Sequence, residues 1–598
     1  MAFLKWEDYF IIVLAVIVSL GIGLYQSLKG QKQKTTSNYL LGTGQMAAIP
    51  VAISLVVSYE SGITMLGVPA EVYMYGLQWY MANIGFFIAD LFNRHFLVPT
   101  LKQLFNRHFL VPTLKQLEIT SIFEYLELRY KSHGIRMFAT VLSIISGLNY
   151  LGTVLFVPAV TLEAVADIPQ WVSIVGVMTV VVIYTYIGGF QAVVWSDVVQ
   201  AVLMFSGIFA LLIMGTIEAG GVAATWTLFN NKGRLNLFNF DPNPTLRQTF
   251  WSLVVGSTIS GMGVPLTQVS FLRIKATPTV KSAKRMYLFT AFAFLITNLI
   301  AALEGVVMFA YYESKGCDPL EAKEVDNPNQ LIAKMVMDVF RNTPCLPGLF
   351  FAGIFSASLS TMSSSLSGLS ALFWEDIVKP HTKPMSNKKS TILTQSALLV
   401  FGAIGIIVAF LVSGLEGPII QGAIVSGILS CGLVGWLAIG RYINDVVSPN
   451  SKLEPASTEN CIFPNITSIT NLSLYNYDTF TPTNVSSYTS TQPLDITTST
   501  TPEGVDIMYS ISYRWLRPIG ILTVLIIGSL ISRLRRHEPV PENLTVPVCE
   551  LLGKCVPNFV RQKFCCAKYH PSTQEEVLDI SLDNNRLTDA KTTGGFIT

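Results

Sequence analysis

The sequence predicts an all-α protein that crosses a membrane many times. Three observations carry this expectation. Hydrophobic residues make up 51% of the 598-residue chain and charged residues only 13%, with a mean hydropathy of +0.49. Apolar runs near the roughly 20 residues needed for a helical crossing recur along most of the chain. One of them, Gly348 to Asp376, is long enough to span, yet holds Ser356, Ser358, Ser360, Thr361, Ser363, Ser364, Ser365, Ser367 and Ser370. On a helix, positions 356, 360, 363, 364 and 367 share one face. Hydrocarbon offers those hydroxyls no partner. They form either a small-residue packing seam, back-bonded to the preceding turn, or an oxygen-lined wall for a small desolvated cation.

Composition narrows the function classes. Net charge is +2, from 40 basic and 38 acidic residues, so no basic field points to nucleic acid. The first apolar run, Tyr9 to Leu24, lacks a small-residue cleavage site and reads as a span rather than a signal peptide. Eight cysteines are too few and too dispersed for a disulfide scaffold.

Hydropathy places spans at 8–27, 46–70, 77–99, 135–162, 170–187, 192–216, 250–272, 286–312, 346–374, 391–413, 419–440 and 514–532. Lysine and arginine in short loops set the orientation. Lys29, Lys32 and Lys34 make the first connection cytoplasmic and put the N-terminus outside. Lys102, Arg107, Lys115, Arg129 and Lys131 mark the third connection as inside, Arg273 to Arg285 the next basic loop, and Lys379 to Lys389 the one after. The chain then divides into a transmembrane core at 1–448, a Ser/Thr-rich extracellular loop at 449–512, a last span at 513–532 and a cytoplasmic tail at 533–598. The expected location is the plasma membrane.

Parity fails near the end. Asn465, Asn471 and Asn484 open sequons that are glycosylation acceptors if outside. Arg533, Arg535 and Arg536 favour an inside C-terminus. Both signals agree with each other and disagree with twelve spans and an outside N-terminus, so one span is missing near 415–427, or 419–440 does not cross as a simple helix. Another irregularity is the segment 91–103, repeated identically at 104–116. One copy suffices to finish the third span, and a functional repeat would show drift and more copies. The pair reads as a duplicated exon or an assembly error, and neither His95 nor His108 is given a role. Cys317 and Cys345, both in the outside loop 313–345, are expected to form a disulfide. Cys549, Cys555, Cys565 and Cys566 lack zinc spacing.

Chemistry concentrates in the second span. Gly62, Gly67 and Pro69 interrupt an apolar run that holds Ser58, Ser61 and Thr64. Such breaks free backbone carbonyls, which the membrane tolerates only where something binds them, and broken helices point to a transporter site. The seventh span carries a counterpart in Gly256 to Pro265, five spans on, as an inverted five-helix repeat requires. Glu60 sits in the first break. It lends a carboxylate to a cation, titrates, or points into a wet cavity. Asp197 follows the Gly188-Gly189 turn and either guides cations at the cytoplasmic mouth of the sixth span or caps a helix N-terminus. No nucleophile elbow, metal-ligand cluster or phosphate loop is visible, which excludes the common enzyme motifs.

Several ordered stretches resemble the sodium/solute symporter family: GGFQAVVWSDVVQ from Gly188, the LSTMSSS block of the ninth span, LGVPAEVYMYG, SIFEYLELRY, CDPL at 317–320 and the PTVKSAKR loop. The resemblance runs from about residue 5 to 535 and is strongest to the animal branch for monocarboxylates, multivitamins and iodide, insect members especially. It implies the leucine-transporter fold, with spans 2–6 and 7–11 as inverted repeats, and sodium as the coupling ion with no other cofactor. The implied sodium ligands are the carbonyls of Val57, Glu60 and Ala357 and the hydroxyls of Ser360 and Thr361, hard oxygens of the kind hard cations take. The implied substrate site lies near Tyr59 and Thr64, with Tyr150 facing and Gln268 matching part of a family Asn-Gln pair. The implied activity is sodium-coupled import of a small organic anion, a monocarboxylate or related vitamin.

Three departures stand out. Glu60 replaces the family's usual apolar residue, Gly261 to Pro265 replaces an aromatic pair, and about one helix is lacking between Gln421 and Gly422. The last is the span that parity asks for, and it leaves a non-transporting sodium-gated sensor or an inactive splice form as the rival expectation.

Overall fold

The computed structural model describes residues 4–29, 36–42, 44–98, 121–325, 327–383, 385–413, 453–461 and 506–534. All regular structure among them is helical. Helix α1 (Trp6–Lys29) is peripheral: only 22% of its membrane window is buried, and Phe10, Val13 and Ile17 face outward. Its inner face seats Ser19, whose hydroxyl returns to the Ala15 carbonyl and accepts from Gln200. A short α2 (Thr36–Leu41) follows.

The second span is two helices, α3 (Ala48–Tyr59) and α4 (Gly62–Tyr75), bent by 60° at Glu60 and Ser61. Ser61 is extended (φ −79°, ψ 170°), which stops α3, and its carbonyl starts α4 by accepting from the amides of Thr64 and Met65. Pro69 falls inside α4 without ending it. The third span runs through α5 (Met81–Phe92) into a π turn at Asn93–Leu97. Thus the first copy of the duplicated segment completes this span; the second copy lies outside the described residues.

After α6 (Glu124–Tyr130) come α7 (His133–Ala166) and α8 (Gln170–Glu218). The two spans expected at 170–187 and 192–216 share α8, with Gly189 alone leaving helical geometry (φ 60°, ψ −165°). A Cβ there would approach the Tyr39 ring to 2.8 Å, so the turn needs glycine for both conformation and space. Helix α9 (Val222–Asn231) leads to the seventh span. That span is also broken: α10 (Gly256–Met262), a 3₁₀ turn at Val264–Leu266, an extended Thr267, and then α11 (Gln268–Ala276). Thr267 caps α11 by accepting from the Ser270 amide.

The longer helices that remain are α12 (Val280–Lys315), α13 (Leu331–Val339), α14 (Leu346–Leu372), α15 (Asn387–Ser413) and α16 (Tyr513–Leu534). Helix α14 is the axis of the molecule. It packs on α1, α3, α7, α8 and α15, and 94% of its membrane window is buried. Its serine face therefore looks into protein rather than lipid. The expected span at 419–440, the sequons at Asn465, Asn471 and Asn484, and the tail cysteines lie outside the described residues.

One expected pairing is corrected. Cys317 bonds Cys461, not Cys345, which is free and exposed at the start of α14. The cause is a local ladder. Asp318 donates its amide to the Ser457 carbonyl, the Ala456 amide donates to the Asp318 carboxylate, and the Asn460 amide donates to the Gly316 carbonyl. These bonds bring Cys461 to a Cα separation of 4.7 Å from Cys317, within normal disulfide reach. Arg234 fastens the same segment by donating to the carbonyls of Tyr73 and Glu454, with its guanidinium 3.8 Å above the Phe309 ring.

Candidate functional site

The broken span and the serine helix meet directly. The Thr361 hydroxyl contacts two carbonyls, Ser58 at 3.0 Å across the interface and Ala357 at 3.1 Å in its own helix. The hydroxyls of Ser58 and Ser364 lie 2.8 Å apart. A Cβ on Gly62 would come within 2.5 Å of the Ser358 hydroxyl, so the glycine lets the start of α4 rest on α14. Val57, Glu60, Ala357, Ser360 and Thr361 are all buried.

Not every oxygen in this seam is used. The hydroxyls of Ser358 and Ser360 are buried with no hydrogen-bond partner among the described residues. A buried hydroxyl left alone is costly, and in a helix it ordinarily back-bonds to the preceding turn, as Ser363 and Ser370 do. Ser360, one of the expected sodium ligands, thus has an uncommitted oxygen, with the Asp197 carboxylate in electrostatic reach. The residues present suit a small hard cation: neutral hydroxyl and carbonyl oxygens at a helix break.

Next to this seam lies a charged network that the sequence reading missed. Arg273 is 1% exposed, and one of its guanidinium nitrogens donates to the hydroxyls of Ser54, Ser58 and Ser364 at 2.7–2.8 Å. The same nitrogen is 3.2 Å from Asp197, and Ser54 donates to that carboxylate at 2.5 Å. Asp197 lies inside α8, past Gly189, so it caps no helix, and it is fully buried against Arg273. Arg273, counted as a loop charge from sequence, turns inward from α11. The available signal was an acid and a base each inside or ending an apolar run, which membrane energetics favours pairing.

The expected substrate residues cluster about the break. The Tyr59 hydroxyl lies 2.6 Å from that of Thr267 and 2.9 Å from that of Ser270, joining the two broken spans. Gln268 is buried beside them at 5% exposure, and Thr64 is half-buried in the first turn of α4. Tyr150, 39% exposed, turns its hydroxyl toward Ser61 and lies in electrostatic reach of Tyr59 and Glu60. The Glu60 side chain is received by Asn298 of α12, whose amide donates to it at 2.5 Å and to the Phe294 carbonyl at 3.1 Å. Asn298 had no mark in the sequence beyond being polar in an apolar run.

Residues 39–431 match the model of the Sodium:solute symporter family. The chain belongs to that family. It is similar to the human sodium/iodide cotransporter, at 34% identity over 73% of this chain and 66% of that one, so it spans about two thirds of that protein. It is similar to the Xenopus laevis sodium-coupled monocarboxylate transporter 1, at 33% identity over 89% and 86% of the two chains. To the rabbit (Oryctolagus cuniculus) sodium-dependent multivitamin transporter it is 31% identical over 94% and 88%. Among solved structures, the substrate-bound outward-open state of a sodium-coupled sialic acid symporter superposes with a TM-score of 0.66, at 20% identity over 90% of this chain and 99% of that one. The symporter is thus an all-α, multi-pass membrane protein of leucine-transporter type. It is a sodium-coupled transporter and not an enzyme.

Proposed function

We propose that this symporter imports a small organic anion, a monocarboxylate or related vitamin, together with sodium across the plasma membrane by alternating access. The observation that carries the reading is the contact of Thr361 with the Ser58 carbonyl beside the unpartnered Ser360 hydroxyl. Sodium is taken by the carbonyls of Val57, Glu60 and Ala357 and the hydroxyls of Ser360 and Thr361. A hydroxyl has one proton and two lone pairs, so Thr361 can keep donating to a carbonyl while its oxygen faces the ion. Ion binding ties α3 to α14 and orders the neighbouring cleft at Tyr59, Thr64, Tyr150 and Gln268, where substrate binds. The membrane potential contributes about 2.3 kcal/mol per charge per 100 mV to inward movement. Opening on the cytoplasmic side hydrates the ligands and releases both. The similarity to iodide, monocarboxylate and multivitamin carriers supports this substrate range.

Tracer uptake of lactate, biotin, pantothenate and iodide, with and without external sodium, tests the proposal. Sodium-dependent accumulation of at least one organic anion is expected; no sodium-dependent accumulation in surface-expressed protein overturns it. A second reading, a sodium-gated sensor or an inactive splice form, is favoured by the single apolar run at 419–440 where parity asks for two. Sodium-dependent current without uptake supports the sensor; no signal of either kind, with poor surface delivery, supports the inactive form.

A further inference from the structure

We infer that the Glu60 carboxylate is a substrate contact, which takes a hydrogen-bond donor carried by the transported molecule. The inference rests on the symport reading of the same cleft and names the chemistry that cleft selects. Glu60 is 3% exposed and stands in the 60° break, between the Tyr59 hydroxyl bridge and Ser61. Among the described residues no lysine, arginine or histidine forms an ion pair with it. Asp197 of α8 and Arg273 of α11, which meet α3 at Ser54, are paired with each other. From α7 the facing group is Tyr150, and from α12 it is the neutral amide of Asn298.

Asn298 makes this a built arrangement rather than a stray acid. One amide nitrogen is fixed on the Phe294 carbonyl and on one Glu60 oxygen, which locks the carboxylate in place. The second carboxylate oxygen has no partner among the described residues. A buried carboxylate demands hydrogen bonds or a countercharge. With no base supplied by the protein, the donor comes with the cargo. A site of this kind rejects an analogue lacking the donor more strongly than a hydrophobic site rejects a missing methylene, because the buried acceptor is then left unpaired. A hydroxyl and an ammonium both supply the donor, and they are separable by experiment.

Propionate, L-lactate and L-alanine share a three-carbon acid frame and carry no donor, a hydroxyl and an ammonium respectively. Ligand-induced thermal stabilisation of the purified full-length chain, with and without sodium, ranks them. At least about tenfold weaker binding of propionate than of lactate or alanine is expected. Glu60→Met abolishes that ranking, and Asn298→Ala, which frees the carboxylate, reduces it. Glu60→Gln keeps an acceptor oxygen without charge: retained preference identifies the hydroxyl as the donor, lost preference the ammonium. Propionate binding as tightly as both others, no stabilisation by any of the three, or an unchanged ranking in Glu60→Met overturns the inference. Loss of sodium dependence alone counts against the symport reading instead, since the ranking is scored without sodium as well.

Discussion

Two acids meet the same broken span and are treated in opposite ways. Asp197 reaches α3 at Ser54 and is neutralised by Arg273, with three hydroxyls completing the guanidinium's partners. Glu60, in the break itself, receives one neutral amide. The first arrangement is paired: the two charges meet within the protein and fix α3, α8, α11 and α14 together, although the second Asp197 oxygen is buried without a hydrogen-bond partner among the described residues. The second has no countercharge among the described residues. In a low-dielectric interior an acid without a countercharge is expensive, so it is kept where a ligand completes it. The acid with a countercharge holds the frame; the one without it stands in the break that faces the cargo.

This contrast can be broken or sharpened by substitution. The largest effect is expected from Arg273→Met, which strands Asp197 and should cost about 3–5 kcal/mol, read as a fall in thermal stability or surface delivery; Asp197→Leu added to it should restore most of the loss. Cys461→Ser should cost about 2–4 kcal/mol by the usual range for a long loop, whereas Cys345→Ser should change nothing. Peptide mapping under non-reducing conditions should recover the 317–461 link. Glu304 of α12 is a third acid, buried with both oxygens unpartnered among the described residues, next to Gly305 where α12 packs on the Pro69 carbonyl. If it is neither paired nor a cargo group, Glu304→Leu should raise stability by about 1–3 kcal/mol. Thr361→Val, which removes one interhelical hydrogen bond, should cost only about 1 kcal/mol in the absence of sodium.

Much of the frame was legible in the sequence, for physical reasons that can be named. The bilayer demands apolar runs of a set length, so 8–27 became Trp6–Lys29 and 135–162 became His133–Ala166. Gly62 borders the first break at Glu60–Ser61, and Gly263 and Pro265 lie in the second at Gly263–Thr267, whereas Gly67 and Pro69 sit inside α4. Three features were not legible. Arg273 ends an apolar run, where loop-charge logic assigns it to water; only the fold shows Asp197 opposite. Cys317 finds a partner 144 residues away because a backbone ladder carries that segment to it, and spacing within one loop says nothing of this. Asn298 acquires its meaning only from the residue it faces. Local pattern fixes where helices run, while pairings across them depend on which faces meet.

The central claim is that oxygens of α3 and α14 strip and hold sodium. Ser360→Ala tests it most directly, because that hydroxyl has no partner within hydrogen-bond distance among the described residues. The sodium concentration for half-maximal uptake should rise about tenfold, equivalent to about 1.4 kcal/mol, while thermal stability without sodium stays within about 0.5 kcal/mol of the parent. An unchanged sodium dependence in surface-expressed Ser360→Ala protein would contradict the assignment.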